Sequence, residues 1–418
     1  MKIKTKQMTF AEVMALPRPK HRKPKRPNVF FRTLLKLVSL PDLWATRFRV
    51  KRIGMERLAR GECCLYLMNH CSFIDLEIAA SVLYPRPFNI VATFDGFIGK
   101  AWLMRNLGCI PTQKFVNDVG LVMDILYAVR KKKNSVLMYP EAGYSLDGTT
   151  TTLPSHLGRF VKKLGIPVVM IRTNGAFLRD PLYNNLQRRK VRVSAEIEYL
   201  LSPDEITAMT EEALYQKIVE EFRIDYFRRQ KEAEIKVDAP FRADYLNRVL
   251  YKCPHCMTEG KTRGQGTKIT CEACGATYTL TEYGELVCEN GETKFSFATD
   301  WYTWERACVR EEIREGRYCL DVPVKIALQV DYKALYFVGE GRLIHTRDGF
   351  ALTGCDGALS YTQKPVATYS LCADYNFYEI GDVICIGDNK TRYYCFPQTE
   401  DDVVTKARLA TEEIYKML

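Results

Sequence analysis

A histidine and an aspartate five positions apart are the residues of this chain best suited to acid–base chemistry. His70 and Asp75 form an H-x-x-x-x-D pattern within residues 68–76. A carboxylate that orients an imidazole makes the ring a general base near neutral pH. The same segment also fits a helix capping box with Ser72 as the N-cap, in which His70 would be an ordinary turn residue.

The elements around this pattern must place the two side chains. The apolar residues 63–68 predict a buried strand, and apolar positions at helical spacing between 74 and 82 predict a helix directly after it. A histidine between a strand and a helix lies at the edge of a sheet, where reacting groups are presented. On these residues alone, a catalytic pair and a capping box both remain open.

Three further segments follow in order. They read N-L-G-C-I-P-T-Q-K-F over residues 106–115, V-L-M-Y-P-E-A-G-Y-S over 136–145, and L-G-I-P-V-V-M over 164–170. Together with the first pattern, this series resembles the four blocks of the glycerolipid acyltransferases, of which bacterial lysophosphatidic acid acyltransferase is a member. The resemblance covers about residues 30–235 and implies that His70 and Asp75 catalyse acyl transfer to a hydroxyl group.

The departures from the family pattern concern the acceptor. The resemblance implies a substrate site at Lys114, Glu141, Gly143 and Tyr144, but the family has arginine where Lys114 and Tyr144 stand, glycine at Ala142 and threonine at Gly143. The family's two arginines are thought to clamp a phosphate, for which arginine offers a planar pair of donors and lysine a point charge. Lys114 also fits a solvated charge, and Glu141 fits either an acceptor-orienting group or a residue that shapes the turn.

The sequence therefore leaves several functions open. The resemblance implies transfer of a fatty acyl chain from acyl-CoA or acyl carrier protein to a lysophospholipid such as 1-acyl-glycerol-3-phosphate. The two replaced arginines favour an acceptor without a phosphate, or a non-catalytic lipid-binding protein on the same fold.

The N-terminal segment is strongly basic. The first 60 residues hold 17 of the 61 Lys and Arg but only 3 of the 50 Asp and Glu, so the remaining chain is close to neutral. Prolines and like charges predict a disordered arm over residues 1–28, followed by an amphipathic helix from residue 29. A basic segment beside such a helix is typical of proteins that bind an anionic membrane surface rather than nucleic acid.

The expected location is the cytoplasmic face of a membrane, with peripheral attachment. The chain has no run of 18 apolar residues, so we expect no transmembrane helix. Its basic start lacks an apolar core with a cleavage site, so we expect no secretory signal.

Residues 29–240 are predicted to form an α/β domain with a mixed, largely parallel sheet flanked by helices. We expect strands near 63–68, 88–93, 135–139, 167–172 and 191–199, and helices near 73–83, 98–106, 117–132, 154–164 and 203–232. The alternating hydrophobicity of residues 191–199 is typical of an edge or half-exposed strand.

Two C-x-x-C pairs separated by fourteen residues predict a structural zinc ribbon over residues 250–280. The ligands are Cys253, Cys256, Cys271 and Cys274. The chain has 15 cysteines, an odd number, and without a secretory signal they indicate reduced thiols rather than disulfides. Four thiolates complete a tetrahedral zinc site, so no redox cofactor or catalytic metal is expected.

The remaining residues 281–418 predict a small β-rich domain that ends in a helix. Short strand patterns with Asp-Gly and Gly-Asp turn signals fill residues 318–398, and an amphipathic pattern fills 400–418. Strands followed by one C-terminal helix resemble a pleckstrin-homology domain.

Overall fold

Two large sheets organise the protein, which the computed structural model describes over residues 2–116 and 118–418. The expectation of a disordered arm over residues 1–28 is wrong for the part that the structure describes. Strand β1 (Thr5–Gln7) pairs in parallel with residues 335–337 of the β-rich domain, and helix α1 (Phe10–Met14) follows with a capping box at Thr9. The arm is ordered because its backbone pairs with the sheet and Val13 is fully buried.

The N-terminal half forms the predicted α/β domain. Its helices are α2 (Val29–Ala45), α3 (Ile74–Val82), α4 (Ala101–Asn106), α5 (Val119–Arg130), α6 (Leu157–Leu164), α7 (Ala176–Arg179), α8 (Pro203–Ala208), α9 (Glu211–Phe222) and α10 (Tyr226–Glu232). Its strands are β2 (Arg49–Ile53), β3 (Leu65–Met68), β4 (Phe88–Thr93), β5 (Cys109–Thr112), β6 (Ser135–Met138), β7 (Val168–Asn174) and β8 (Ser194–Leu201). The single helix expected over 203–232 is three helices, because caps at Ser202, Thr210 and Asp225 start each one separately.

The seven strands have the order β2-β8-β7-β3-β6-β4-β5. Neighbours run parallel except β7 and β8, so the sheet is mixed as predicted. Strand β8 is not at the edge, because β2 pairs with it from outside; its alternating burial is nevertheless the half-exposed pattern that was expected. Strand β3 lies in the middle, and its side chains alternate between the two hydrophobic layers of the sheet.

A four-stranded antiparallel sheet follows the α/β domain. It consists of β9 (Thr262–Gln265), β10 (Lys268–Cys271), β11 (Thr277–Leu280) and β12 (Leu286–Cys288), so it extends beyond the predicted limit of residue 280. Helix α11 (Ala298–Arg314), which the sequence patterns did not predict, then leads into the last domain.

The β-rich domain comprises seven antiparallel strands and a C-terminal helix. They are β13 (Leu320–Gln329), β14 (Leu335–Thr346), β15 (Gly349–Gly354), β16 (Leu359–Gln363), β17 (Cys372–Phe377), β18 (Gly381–Gly387), β19 (Arg392–Pro397) and α12 (Val404–Lys416). The strand order is β16-β15-β14-β13-β19-β18-β17, with β1 beside β14. The assignment of this domain to the pleckstrin-homology type stays a prediction.

One hydrophobic core joins these parts. It runs from one face of the α/β sheet through the small sheet to the β-rich domain, and includes Tyr66, Tyr278, Trp301 and Leu328. Within the described residues, none of the helices combines the length and apolar character that a membrane span requires.

Candidate active site

The turn between β3 and α3 brings His70 and Asp75 together. His70 Nδ1 lies 3.2 Å from Asp75 Oδ2, with Asp75 fully buried and the His70 side chain 22% exposed. Helix α3 has no side-chain cap, so Ser72 does not form the alternative capping box. The structure therefore joins the two residues as a pair.

The carboxylate of Asp75 is held by several donors. Its Oδ2 accepts hydrogen bonds from the backbone N–H groups of Cys71, at 2.6 Å, and Ser72, at 3.0 Å. Its Oδ1 accepts one from the Thr173 hydroxyl at 3.2 Å, at the end of the neighbouring strand β7. With both oxygens fixed, Asp75 can orient the imidazole ring.

The environment favours the neutral form of His70. Burial lowers the pKa of His70, and the hydrogen bond and charge of Asp75 oppose this shift only in part. Among residues 2–116 and 118–418, no group makes a hydrogen bond to Nε2 of His70, whereas Nδ1 contacts Asp75. A neutral ring with Nε2 unengaged is the form that can accept a proton from a substrate.

Two tyrosines pack against the imidazole. Tyr139 stacks on it with ring centroids 4.1 Å apart, and Tyr144 lies at 4.5 Å in an edge orientation. Together with Asp75 they restrict how the ring can turn. Tyr144 thus places a neutral aromatic ring beside the base, where the family pattern has an arginine.

Glu141 holds the backbone around His70. Its side chain is buried, Oε2 accepts from the N–H of His70 at 2.8 Å, and Oε1 accepts from the N–H of Thr151 at 3.0 Å. Burial raises the pKa of Glu141 to about 8, although both N–H donors favour the charged form. Of the two roles considered for Glu141, the geometry favours the shaping of the turn.

Lys114 lies inside the site rather than in bulk solvent. A methyl group placed on Gly143 would be 4.0 Å from Lys114 Nζ, so the two predicted substrate residues are neighbours. Burial alone would lower the pKa of Lys114, but the nearby Cys372 and Asp374 raise it. The site therefore holds a cation close to His70.

The β-rich domain covers the loops of this site, which the sequence did not indicate. Arg392 Nη2 donates to the carbonyl of Lys114 at 3.1 Å, and the Thr368 hydroxyl donates to the carbonyl of Phe115 at 2.8 Å. Arg408 Nη2 of α12 donates to the Thr151 hydroxyl at 3.3 Å. No motif identifies these residues, because their positions depend on contacts between distant parts of the chain.

The predicted zinc ligands converge at a second site. The ligand atoms of Cys253, Cys256, Cys271 and Cys274 all lie within 4.8 Å of one another. The sulfurs of Cys253 and Cys274 are 3.7 Å apart, as are those of Cys256 and Cys271. Four sulfurs about 2.3 Å from a tetrahedral zinc are separated by about 3.8 Å, so this set fits the metal.

Comparison with known proteins finds matches to part of this chain. In solved structures, the 1-acyl-sn-glycerophosphate (LPA) acyltransferase PlsC of Thermotoga maritima is similar, with 16% sequence identity, a TM-score of 0.38, and coverage of 45% of this chain and 75% of that chain. The family described as Acyltransferase matches residues 49–173, a narrower range than the motifs indicated. This range contains His70, Asp75, Lys114 and Glu141. Residues 49–173 therefore match the Acyltransferase family, in agreement with the resemblance that the motifs indicated.

Proposed function

We propose that the protein transfers a fatty acyl chain from an acyl thioester to a hydroxyl group of a lysophospholipid. The donor is acyl-CoA or acyl carrier protein, and 1-acyl-glycerol-3-phosphate is the model acceptor. The observation that carries the proposal is the pair of His70 and the buried Asp75, 3.2 Å apart within the residues that match the Acyltransferase family.

The chemistry needs one base and no covalent acyl-enzyme. Nε2 of His70 takes the proton from the acceptor hydroxyl while the hydroxyl oxygen attacks the thioester carbonyl. Asp75 holds the proton on Nδ1 and stabilises the imidazolium ion that forms. Collapse of the tetrahedral intermediate breaks the carbon–sulfur bond, and the thiolate leaves with the proton returned by His70.

Lys114 supports a phosphate-bearing acceptor. Its ammonium group lies beside Gly143 and near His70, so an anionic headgroup bound there would bring its hydroxyl towards the base. Tyr144 supports the alternative of a non-phosphate acceptor, because it supplies a phenol in place of a guanidinium group. Acceptor preference is therefore the measurement that separates these two forms of the proposal.

The surface of α2 supports attachment to a membrane. Five apolar side chains of α2 are each more than half exposed, namely Val29, Phe30, Leu37, Val38 and Trp44. Phe31 of the same helix contacts the exposed Trp102 of α4, with ring centroids 5.3 Å apart. The surrounding basic residues suit the anionic, cytoplasmic face of a bilayer. This apolar surface would bring the site to its lipid acceptor.

The test is acceptor-dependent release of thiol from an acyl thioester. Wild-type protein should release thiol only when a lysolipid is present, and His70→Ala should reduce the rate by about 10²–10⁴-fold, the usual contribution of a general base. The matched control is His156→Ala, because His156 is exposed and lies outside the site.

A non-catalytic lipid-binding protein would give a different result. It would bind lysolipid vesicles without releasing thiol from any donor. Full activity of a folded His70→Ala protein would contradict the catalytic role, while activity on neutral acceptors alone would support the non-phosphate form.

A further inference from the structure

A small cavity with several charged side chains in its lining lies between the α/β domain and the β-rich domain. One wall is formed by the ends of β4 and β5, with Asp95 and Lys114. The opposite wall is one face of β17, β18 and β19. It presents Cys372, Asp374, Cys385 and Arg392. Two cysteines thus share a cavity with charged groups from both domains.

The two cysteines face each other across neighbouring strands. Cys372 of β17 and Cys385 of β18 are direct partners in the antiparallel register, and both side chains line the cavity. Directly opposed residues of antiparallel strands have Cα atoms about 4.5–5.5 Å apart. A disulfide spans Cα distances of about 4.4–6.8 Å, so the strands need no rearrangement to join these sulfurs.

Cys395 is not an alternative partner for Cys372. It is opposite Ile384 in β18 and belongs to the main hydrophobic core, whereas Cys385 packs in a separate cluster on the other face of the sheet. The geometry therefore pairs Cys372 with Cys385 alone on this wall.

The surroundings make the two thiols chemically unequal. The neighbouring Cys385 thiol and the charges of Arg392 and Lys114 lower the pKa of Cys372 against the effect of burial. Burial raises the pKa of Cys385 well above its usual value. Cys372 is also partly accessible, while Cys385 is buried. A thiolate beside cations, next to a second thiol, is the arrangement of a reactive and a resolving cysteine.

We propose that Cys372 and Cys385 are a redox-sensitive pair that a hydroperoxide oxidises to a disulfide between β17 and β18. The Cys372 thiolate attacks one peroxide oxygen, which forms a sulfur–oxygen bond, breaks the oxygen–oxygen bond and releases water after protonation. The sulfur of Cys385 then attacks the sulfenic acid, loses its proton and releases a second water. With hydrogen peroxide, two thiols and one peroxide give one disulfide and two waters.

Oxidation of this pair can be followed without running the acyl-transfer reaction, so a peptide map can test it directly. The zinc-loaded full chain is treated with dilute hydrogen peroxide, alkylated, and cleaved before aspartate residues. Cleavage places Cys372 in the peptide 356–373 and Cys385 in the peptide 382–387. We expect these peptides to be joined after oxidation and separate after treatment with dithiothreitol.

Variants assign the two roles. Cys385→Ser should leave a sulfenic acid on Cys372 that dimedone traps, while Cys372→Ser should leave Cys385 unmodified. The control is Cys319→Ser, because Cys319 is exposed and outside the cavity, and this variant should still form the bond. If a serine variant does not fold, the wild-type map alone decides. Alkylation of both thiols after peroxide, or linkage of either to another cysteine, would overturn the proposal.

Discussion

Oδ2 of Asp75 accepts hydrogen bonds from two backbone N–H groups and still lies 3.2 Å from Nδ1 of His70. The same turn therefore fixes the carboxylate and the imidazole ring beside it. Because the carboxylate is fully buried, water does not weaken this contact.

We predict that the ionisation of His70 affects the pH dependence of both activity and stability. Burial lowers its pKa below 6.5 in the folded protein, so turnover should persist to slightly acidic pH and fall through that lowered pKa. The unfolded state binds more protons in this range, so the free energy of unfolding should decrease as pH falls below 6.5. Urea unfolding over pH 4–8 should show a smaller decrease in the free energy of unfolding for His70→Ala than for the wild type. Equal slopes for the two proteins would contradict the assignment.

Local sequence patterns were sufficient for the centre of the fold. Strand β3, the turn with His70 and helix α3 follow from a short apolar run and a helical spacing, which need no distant partner. Strands β2 and β5 were missed, because Arg49–Ile53 is mainly charged and Cys109–Thr112 is very short. Both exist through pairing with β8 and β4, which is a tertiary effect.

The candidate site likewise contains residues that local patterns predicted and residues that they did not predict. His70, Asp75, Lys114 and Glu141 were found because their spacing matches the blocks of the acyltransferase pattern. The contacts of Arg392, Thr368 and Arg408 were not found, since they depend on how the β-rich domain packs against the α/β domain. The role of Thr173 was missed for a similar reason, because a threonine at a strand end gives no signal that it contacts Asp75.

We predict that Ala142→Gly stabilises the protein. Ala142 has φ = 56°, in the left-handed region, where the family pattern has glycine. This conformation costs about 1–2 kcal/mol for a residue with a side chain. Glycine removes that cost, but it gives the unfolded chain more conformational entropy, which lowers the stability by about 0.4–1 kcal/mol. The free energy of unfolding in urea should increase by up to about 1.6 kcal/mol. Ala128→Gly, in the right-handed helix α5, is the control and should destabilise the protein; a loss at both positions would contradict the prediction.

We predict one zinc ion per chain in freshly purified, reduced protein. Elemental analysis should detect it, and Cys271→Ser should remove it, whereas Cys319→Ser should not. Since β10 and β11 contribute Ile269 and Tyr278 to the common core, loss of the metal should lower the thermal stability of the whole chain. Absence of zinc from the wild-type protein would contradict the assignment of the four cysteines.

We predict that the apolar surface of α2 and α4 binds anionic vesicles. Phe30→Ser and Trp102→Ser should each weaken sedimentation with vesicles that contain phosphatidylserine, because both side chains are about two-thirds exposed. Met257→Ser, at an exposed position in the zinc-ribbon region, is the matched control. Charge replacements at Lys20 and Lys25 should reduce the salt sensitivity of binding, with each basic residue near the surface contributing about 1 kcal/mol. Deletion of residues 1–28 is less suitable, because it would also remove β1 from its sheet.

The last prediction concerns the acceptor. Lys114→Ala should raise the KM for 1-acyl-glycerol-3-phosphate and leave a neutral monoacylglycerol acceptor almost unchanged, because the ammonium group would contact only the phosphate. Lys114→Arg is the control and should retain use of the phosphate acceptor, since the positive charge remains. Tyr144→Arg should improve use of the phosphate acceptor. In the wild type the rings of Tyr144 and His70 lie 4.5 Å apart between centroids, so the new cation should also lower the pKa of His70. The acid limb of the pH profile would then shift to lower pH. If Lys114→Ala affects both acceptors equally, Lys114 serves the packing between the two domains rather than the recognition of phosphate.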